Sequence, residues 1–261
     1  WGVMNIINIC QGEYVMLGGF ITYLLFSWGI SPFVGIPVAF VVLYLVGWLT
    51  YRVVICRVVE QDLFISILAT FGISILLQQL MNQLFTADVQ TAEAGLGTAF
   101  LFNNMVTVPW VKVVGFVLAL SVGVVLVLFM GRSRMGQAIR ATAQNARAAR
   151  IMGIDTDRVY AVTYSINAAI CGAAGALVVM TWVVQAFQGL AYTVRSFMIV
   201  VVAGIGNLPG VVVAGLGLGA AESYAGFLLG AEFQTAFIFS LLVVILLWRN
   251  YRLRAQRKVL R

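Results

Sequence analysis

Histidine is absent from the 261 residues. That removes Ser-His-Asp catalysis, Cys-His catalysis and the HExxH zinc site together. Cysteine is scarce: Cys10, Cys56 and Cys171 lie far apart and form no CxxC. They read as small buried apolar residues, with no disulfide and no metal site assigned. No GxxxxGK[ST] occurs, so the chain carries no P-loop and any ATP hydrolysis would belong to another subunit. No nucleophile–base pair is visible, so no catalytic residue is assigned. Charge is also scarce, with 10% of residues Asp, Glu, Lys or Arg. A soluble domain carries roughly a quarter.

What is present is apolar. Hydrophobic residues make up 62% and the mean hydropathy is +1.02. Apolar runs near twenty residues recur, the length a helix needs to cross the hydrocarbon layer. The runs lack period-two alternation, which favours helices over a barrel. The expected fold is all-α and polytopic, with about seven to eight transmembrane segments plus a broken or re-entrant helix. One transmembrane domain over 1–261 is expected, with a cytoplasmic loop at 132–158 and a cytoplasmic tail at 249–261.

The apolar segments are 13–29, 33–51, 62–85, 108–130, 159–182, 196–206, 210–229 and 235–248. The segment ending at Gly206 is short, so it starts near Leu190 or is re-entrant. Residues 1–12 are mixed and read as half a helix. The net charge of +7 comes from arginines between apolar segments and at the C-terminus. The positive-inside rule explains them better than nucleic acid does. It places 52–57, 132–158 and 249–261 in the cytoplasm, and 86–107 and 183–194 outside. Three crossings then fit between Arg158 and Arg249, with "GNLPG" turning inside and "GAEFQ" outside.

Several features could carry function. Gly172 with Ala176, and Gly215 with Gly219, share helix faces at i, i+4. Such faces pack closely within a subunit, or line a pore and slide. Glu13 and Glu222 are acids within apolar surroundings, which is costly unless they meet a cavity or a partner. Glu13 also suits a helix start. Glu222 could pair with Arg195 or line a path. "NICQGE" and "GNLPG" interrupt the apolar pattern, and broken helices expose N–H and carbonyl groups to a cavity. The path candidates are therefore Asn8, Gln11, Gly12, Glu13, Asn207, Pro209, Gly210 and Glu222. Asn207 could instead simply cap the helix beginning near Pro209.

In "RAARIMGIDTDR" the alanines favour a short helix and Gly153 a C-terminal stop. Asp155, Thr156 and Asp157 then cap the next helix. The stretch is an ordinary positive-inside loop or a lever seated on a partner, and composition leaves both open.

Three ordered stretches resemble the permease subunits of branched-chain amino acid ABC importers (Liv-type, H-like). "MNIINICQGEYVMLGGFITY" is similar to the family's "GxINFAHGExxMLGAY", with Cys10-Gln11 replacing Ala-His. "IRATAQNARAARIMGIDTDRVYAVTYSINAAICGAAGAL" resembles its cytoplasmic loop and next helix. "SFMIVVVAGIGNLPGVVVAGLGLGAAES" resembles "AFxxxVLGGIGSxPGAxxGGLxLGxxE". The family's usual first helix would precede Trp1. The resemblance implies a substrate-specific pore in the bacterial inner membrane, not an enzyme. It implies a second related permease subunit, giving a heterodimer or a homodimer. Two cytoplasmic ATPases would carry ATP and Mg, and this chain no cofactor. A periplasmic or lipid-tethered binding protein would deliver substrate. "RAARIMG" fits the xAAxxxG coupling pattern, with Arg147 where many importers have Glu. The coupling residues implied are Arg147, Ala148, Ala149, Arg150, Gly153 and Ile154.

The expected cargo is a branched-chain or related amino acid, with urea or short amides as the alternative. Two further readings are an ion-coupled carrier using Glu13 and Glu222, and an intramembrane enzyme.

Overall fold

The computed structural model describes residues 4, 6–59, 61–85, 88–101, 106–204 and 206–230, and within 233–247 residues 233, 236, 237, 239–241, 243–245 and 247. Among the described residues, five helices are long and apolar enough to cross a membrane. The chain gathers into two compact units, 1–193 and 194–261.

The first unit is built on α1 (Gln11–Ser27), α2 (Pro32–Val53) and α7 (Thr156–Thr181), which pack on one another. Small residues make this possible. Gly18 of α1 lies directly on Gly172 of α7, and Gly175 on the backbone of Val15 and Gly19. A Cβ on Gly172 would also sit 2.7 Å from Leu43 Cγ and 2.9 Å from the Ala39 carbonyl oxygen of α2. A Cβ on Gly47 would sit 2.6 Å from Ala168 Cβ. Ala168, Ala169 and Ala176 are fully buried along the same face. Lipid supplies no hydrophobic drive between helices, so close backbone approach and van der Waals contact hold such a seam. The expected packing role of Gly172 and Ala176 is thus visible.

α3 (Leu63–Phe85) rests against α1 through a ridge of small polar residues. Ser66, Thr70 and Ser74 recur every four residues and are buried. α4 (Trp110–Arg132) is the most apolar of the candidate spans, and Val111 is its buried residue. The other side chains of α4 are exposed or half-buried, available to lipid or to another chain.

The polar connection 86–107 holds something the sequence did not suggest. β1 (Thr98–Leu101) pairs antiparallel with β2 (Val106–Pro109), with Ala99 opposite Val108. The β-branched Thr98, Val106, Thr107 and Val108 suit a short ribbon. Nearby, Gln90 and Val184 exchange two backbone hydrogen bonds of 2.9 Å, and Ala92 N–H donates to the Val179 carbonyl. The two polar connections, 86–107 and 183–194, therefore meet at one end of the unit.

The described residues before α1 are not half a helix. Residue 4 and residues 6–10 are non-helical. Side chains of other helices take up their backbone groups instead. Thr70 Oγ1 accepts from Ile9 N–H (3.3 Å) and donates to the Ile7 carbonyl (3.1 Å). Thr193 Oγ1 donates to the Ile9 carbonyl and accepts from Gly12 N–H, both at 2.9 Å. Irregular backbone at membrane depth is tolerated where protein groups or a cavity satisfy it, and these hydroxyls supply part of that.

α8 (Gly189–Ala203) belongs to the first unit as far as Thr193. Its fifteen residues reach about 22 Å, less than the ~30 Å hydrocarbon core. The short segment expected from the sequence is there, beginning at Gly189. In the second unit, α8 is followed by Gly204 and Gly206, both left-handed at φ +86° and +84°. α9 (Leu208–Leu229) starts at Asn207, whose Oδ1 accepts from Gly210 N–H at 3.1 Å. Pro209 occupies the first turn, where its missing N–H costs nothing.

Among the described residues nothing packs closely on Gly215 or Gly219. A Cβ on Gly215 would meet only Ile199 Cδ1, at 4.0 Å, and one on Gly219 would meet nothing within 4 Å. Their face of α9 is open, and no opposing backbone approaches it among the described residues. The described residues of 233–247 are helical, in line with a last apolar segment. The basic tail 249–261 lies outside the described residues.

Candidate translocation cluster and coupling loop

The start of α1 gathers four of the expected path residues into one buried polar cluster. Asn8 Oδ1 accepts from Cys10 N–H (3.2 Å) and from Cys10 Sγ (2.9 Å). Gln11 Nε2 reaches back to the Asn8 carbonyl at 3.1 Å. Glu13 is fully buried. Its Oε1 accepts from Gln78 Nε2 at 2.7 Å and from Ser74 Oγ at 3.0 Å. Ser74 is the central residue of α3, so the carboxyl lies deep within the bundle. Gly189 covers it: a Cβ there would fall 2.6 Å from Oε1, and closer still to Oε2. Cys10 Sγ and Tyr14 OH both lie within hydrogen-bond reach of Tyr164 OH, at 3.3 and 3.2 Å.

Two atoms of this cluster are left over. Glu13 Oε2 and Asn8 Nδ2 are buried with no hydrogen-bond partner. An unmade bond of this kind costs about 1–3 kcal/mol, more if the group is charged. Unsatisfied acceptor and donor at a broken helix start are what a polar or zwitterionic solute could satisfy. Sequence reasoning did not name Thr70, Ser74, Gln78, Gly189 or Thr193. The four-residue recurrence of Ser66, Thr70, Ser74 and Gln78 in an apolar helix was the available signal.

The other path residues fall elsewhere. Asn207, Pro209 and Gly210 form the capped start of α9. Glu222 Oε1 accepts from Arg195 Nη2 at 2.6 Å, with side chains 23% and 44% exposed. The pairing expected for Glu222 is present within the second unit.

The basic loop folds as two short helices. α5 (Arg134–Gln144) follows α4 after Ser133, whose Oγ accepts from Gly136 N–H at 2.8 Å. Asn145 ends α5 and caps α6 (Ala146–Ile151), its Oδ1 accepting from Ala148 N–H at 3.0 Å. α6 then stops in a Schellman arrangement. Gly153 N–H bonds the Arg150 carbonyl and Ile154 N–H the Ala149 carbonyl, both at 3.0 Å. Gly153 takes φ +84°, which glycine adopts at no cost. Asp155 caps α7 through Arg158 N–H at 3.1 Å, and Arg150 Nε donates to Thr156 Oγ1 at 2.6 Å.

The loop is therefore a rigid double turn fixed to α7. Within α6, Ala149 is the buried residue, while Arg147 and Ala148 are exposed. Its tip is apolar: Ile151 and Met152 are each 81% exposed. The sequence reading passed over this pair, although "IM" directly before the stop glycine was visible.

A helical bundle with membrane-length spans, a polar break at the start of one helix and a rigid loop with an apolar tip define a multi-pass membrane transport protein. The family described as branched-chain amino acid transport system / permease component matches residues 1–246. The chain belongs to that family, and is a transport permease component, not an enzyme. It is 29% identical to the high-affinity branched-chain amino acid transport system permease protein LivH of Escherichia coli (strain K12), over 95% of this chain and 85% of that one. It is 28% identical to LivH of Salmonella typhimurium, with the same coverage. The permease protein BraD of Pseudomonas aeruginosa is 27% identical over 95% of this chain and 86% of its own. No solved structure matches the chain significantly.

Proposed function

We propose that the chain is a permease subunit of an ATP-driven importer in the bacterial inner membrane, carrying branched-chain or related amino acids. The observation that carries the coupling half is the α6 turn, which is fixed internally yet presents Ile151 and Met152 outward. The turn, with Arg147, Ala148, Ala149, Arg150, Gly153 and Ile154, is assigned to a cleft on a cytoplasmic ATPase. Two such ATPases hold ATP and Mg. This chain holds neither, and a binding protein outside delivers the solute. A second, related permease completes the path, and the face of α9 at Gly215 and Gly219, open among the described residues, is a candidate surface to meet it.

The path wall runs past Asn8, Gln11, Gly12 and Glu13. Asn207, Pro209, Gly210 and Glu222, in the second unit, are separate path candidates. The orphaned Glu13 Oε2 and Asn8 Nδ2 support this reading, because a passing α-amino or α-carboxyl group gives each a partner.

The test is ATP hydrolysis by the purified complex with its binding protein, with leucine, isoleucine, valine, urea or acetamide added separately. Stimulation by the branched-chain amino acids is expected. Stimulation by urea or acetamide alone would move the chain to the amide branch.

A further inference from the structure

Away from the polar cluster, a groove of about 740 Å³ opens between the end of α2 and the start of α7. Its volume lies within the ~300–1,000 Å³ usual for small-molecule sites. Its wall grades along α2. Leu45 comes first, then Trp48, then Arg52, spanning about 10 Å of helix rise. That order runs from hydrocarbon through the aromatic belt to the charged surface. Arg52 stacks over the Trp48 ring at 5.5 Å. From α7 the groove receives Asp155, Asp157 and Arg158.

The charges balance, two arginines against two aspartates. Among the described residues none of the four is in an ion pair within the chain. All four are exposed. Tyr51 stands in the same wall, 2% exposed, and its hydroxyl has no hydrogen-bond partner.

We propose that this groove is a binding site for a phospholipid with a phosphoethanolamine headgroup. Arg52 and Arg158 take the phosphate, which accepts several charge-assisted hydrogen bonds. Asp157, with the outer oxygen of Asp155, takes the primary ammonium. Tyr51 OH gains the partner it lacks. An acyl chain leaves along Leu45. An anionic headgroup without an ammonium would leave both aspartates unpaired, and a trimethylammonium could not donate to them. The bound lipid would brace α2 against the start of α7, directly behind the α6 turn.

The test is native mass spectrometry of the intact complex, purified and challenged with equal phosphatidylethanolamine, phosphatidylglycerol and phosphatidylcholine. Wild type should retain phosphatidylethanolamine over both others. Arg52→Gln with Arg158→Gln should lower retention roughly thirtyfold, at about 1 kcal/mol for each arginine. Tyr51→Phe, which keeps the ring packing, should lower it less. Asp157→Asn should shift preference to phosphatidylglycerol. Equal retention of the three lipids, no retained lipid, or unchanged retention in the double arginine variant would each overturn the proposal.

Discussion

Replacing Ile151 and Met152 by serine tests the assigned ATPase contact with little cost to the chain itself. Each side chain is 81% exposed, so the isolated subunit loses almost no buried apolar surface. Surface changes of this kind alter stability by about 0.5 kcal/mol or less. Docked in a partner cleft, the same side chains have four-fifths of their surface still to bury. Full burial of an Ile or Met contributes about 1.5–3 kcal/mol, so the pair stands to contribute roughly 2–5 kcal/mol. Affinity for the ATPase should then fall roughly 30- to 3,000-fold. The assay is titration of ATPase onto the permease pair in nanodiscs, with the melting temperature of the permease measured in parallel. Lost affinity at unchanged melting temperature is expected. Unchanged affinity would place the contact elsewhere on the chain and refute the reading of the tip.

Gly153→Ala isolates the backbone at the α6 stop, because its Cβ would meet nothing within 4 Å. It should cost about 1–2 kcal/mol through the left-handed conformation alone. Gly153→Pro also deletes the N–H bonded to Arg150 and should uncouple ATP hydrolysis from uptake while the complex still assembles. Normal uptake by the proline variant would count against the lever. Charge reversal at Arg147 and Arg150 should uncouple likewise, measured as the ratio of ATP hydrolysed to leucine taken up. Gly175→Ala would drive a Cβ into the α1 backbone, 2.8 Å from Gly19 N and closer still to the Val15 carbonyl. Neither helix backbone can yield locally, so about 1–3 kcal/mol or more of stability should be lost, visible in the melting temperature. Glu13→Gln keeps an acceptor for Ser74 and Gln78 but puts an amide where Oε2 stood. Uptake should fall with assembly intact, and wild-type uptake would remove Glu13 from the path.

Much of the fold was legible because membrane helices must satisfy their backbones internally and cover ~30 Å. Apolar length alone therefore located the five helices that, among the described residues, are long and apolar enough to cross. The α6 stop at Gly153, the caps at Asp155 and Asn207, and the Arg195–Glu222 pair were legible for local reasons. They rest on residue types with few conformational uses, or on two charges that lipid forces together. The partners of Glu13 were not legible. Ser74 and Gln78 are more than sixty positions away, and Gly189 meets the carboxyl by shape rather than chemistry. The irregular stretch before Gln11 was misread as helix because its supports, Thr70 and Thr193, are ordinary hydroxyls in distant helices. The small-residue faces show the same limit. Gly172 and Gly215 look alike in sequence, yet one meets Leu43 and Gly18 while the other, among the described residues, has a distant Ile199. Spacing marks a face that can pack, and only the tertiary arrangement decides whether anything packs there.

The most direct measurement is leucine uptake into proteoliposomes holding the intact complex, with ATP enclosed on the ATPase side and the proton gradient collapsed by an ionophore. Uptake that needs ATP and the binding protein, and persists without the gradient, is predicted. Uptake that continues without the ATPases and disappears with the gradient would contradict it, and would make Glu13 and Glu222 the coupling groups of an ion-driven carrier.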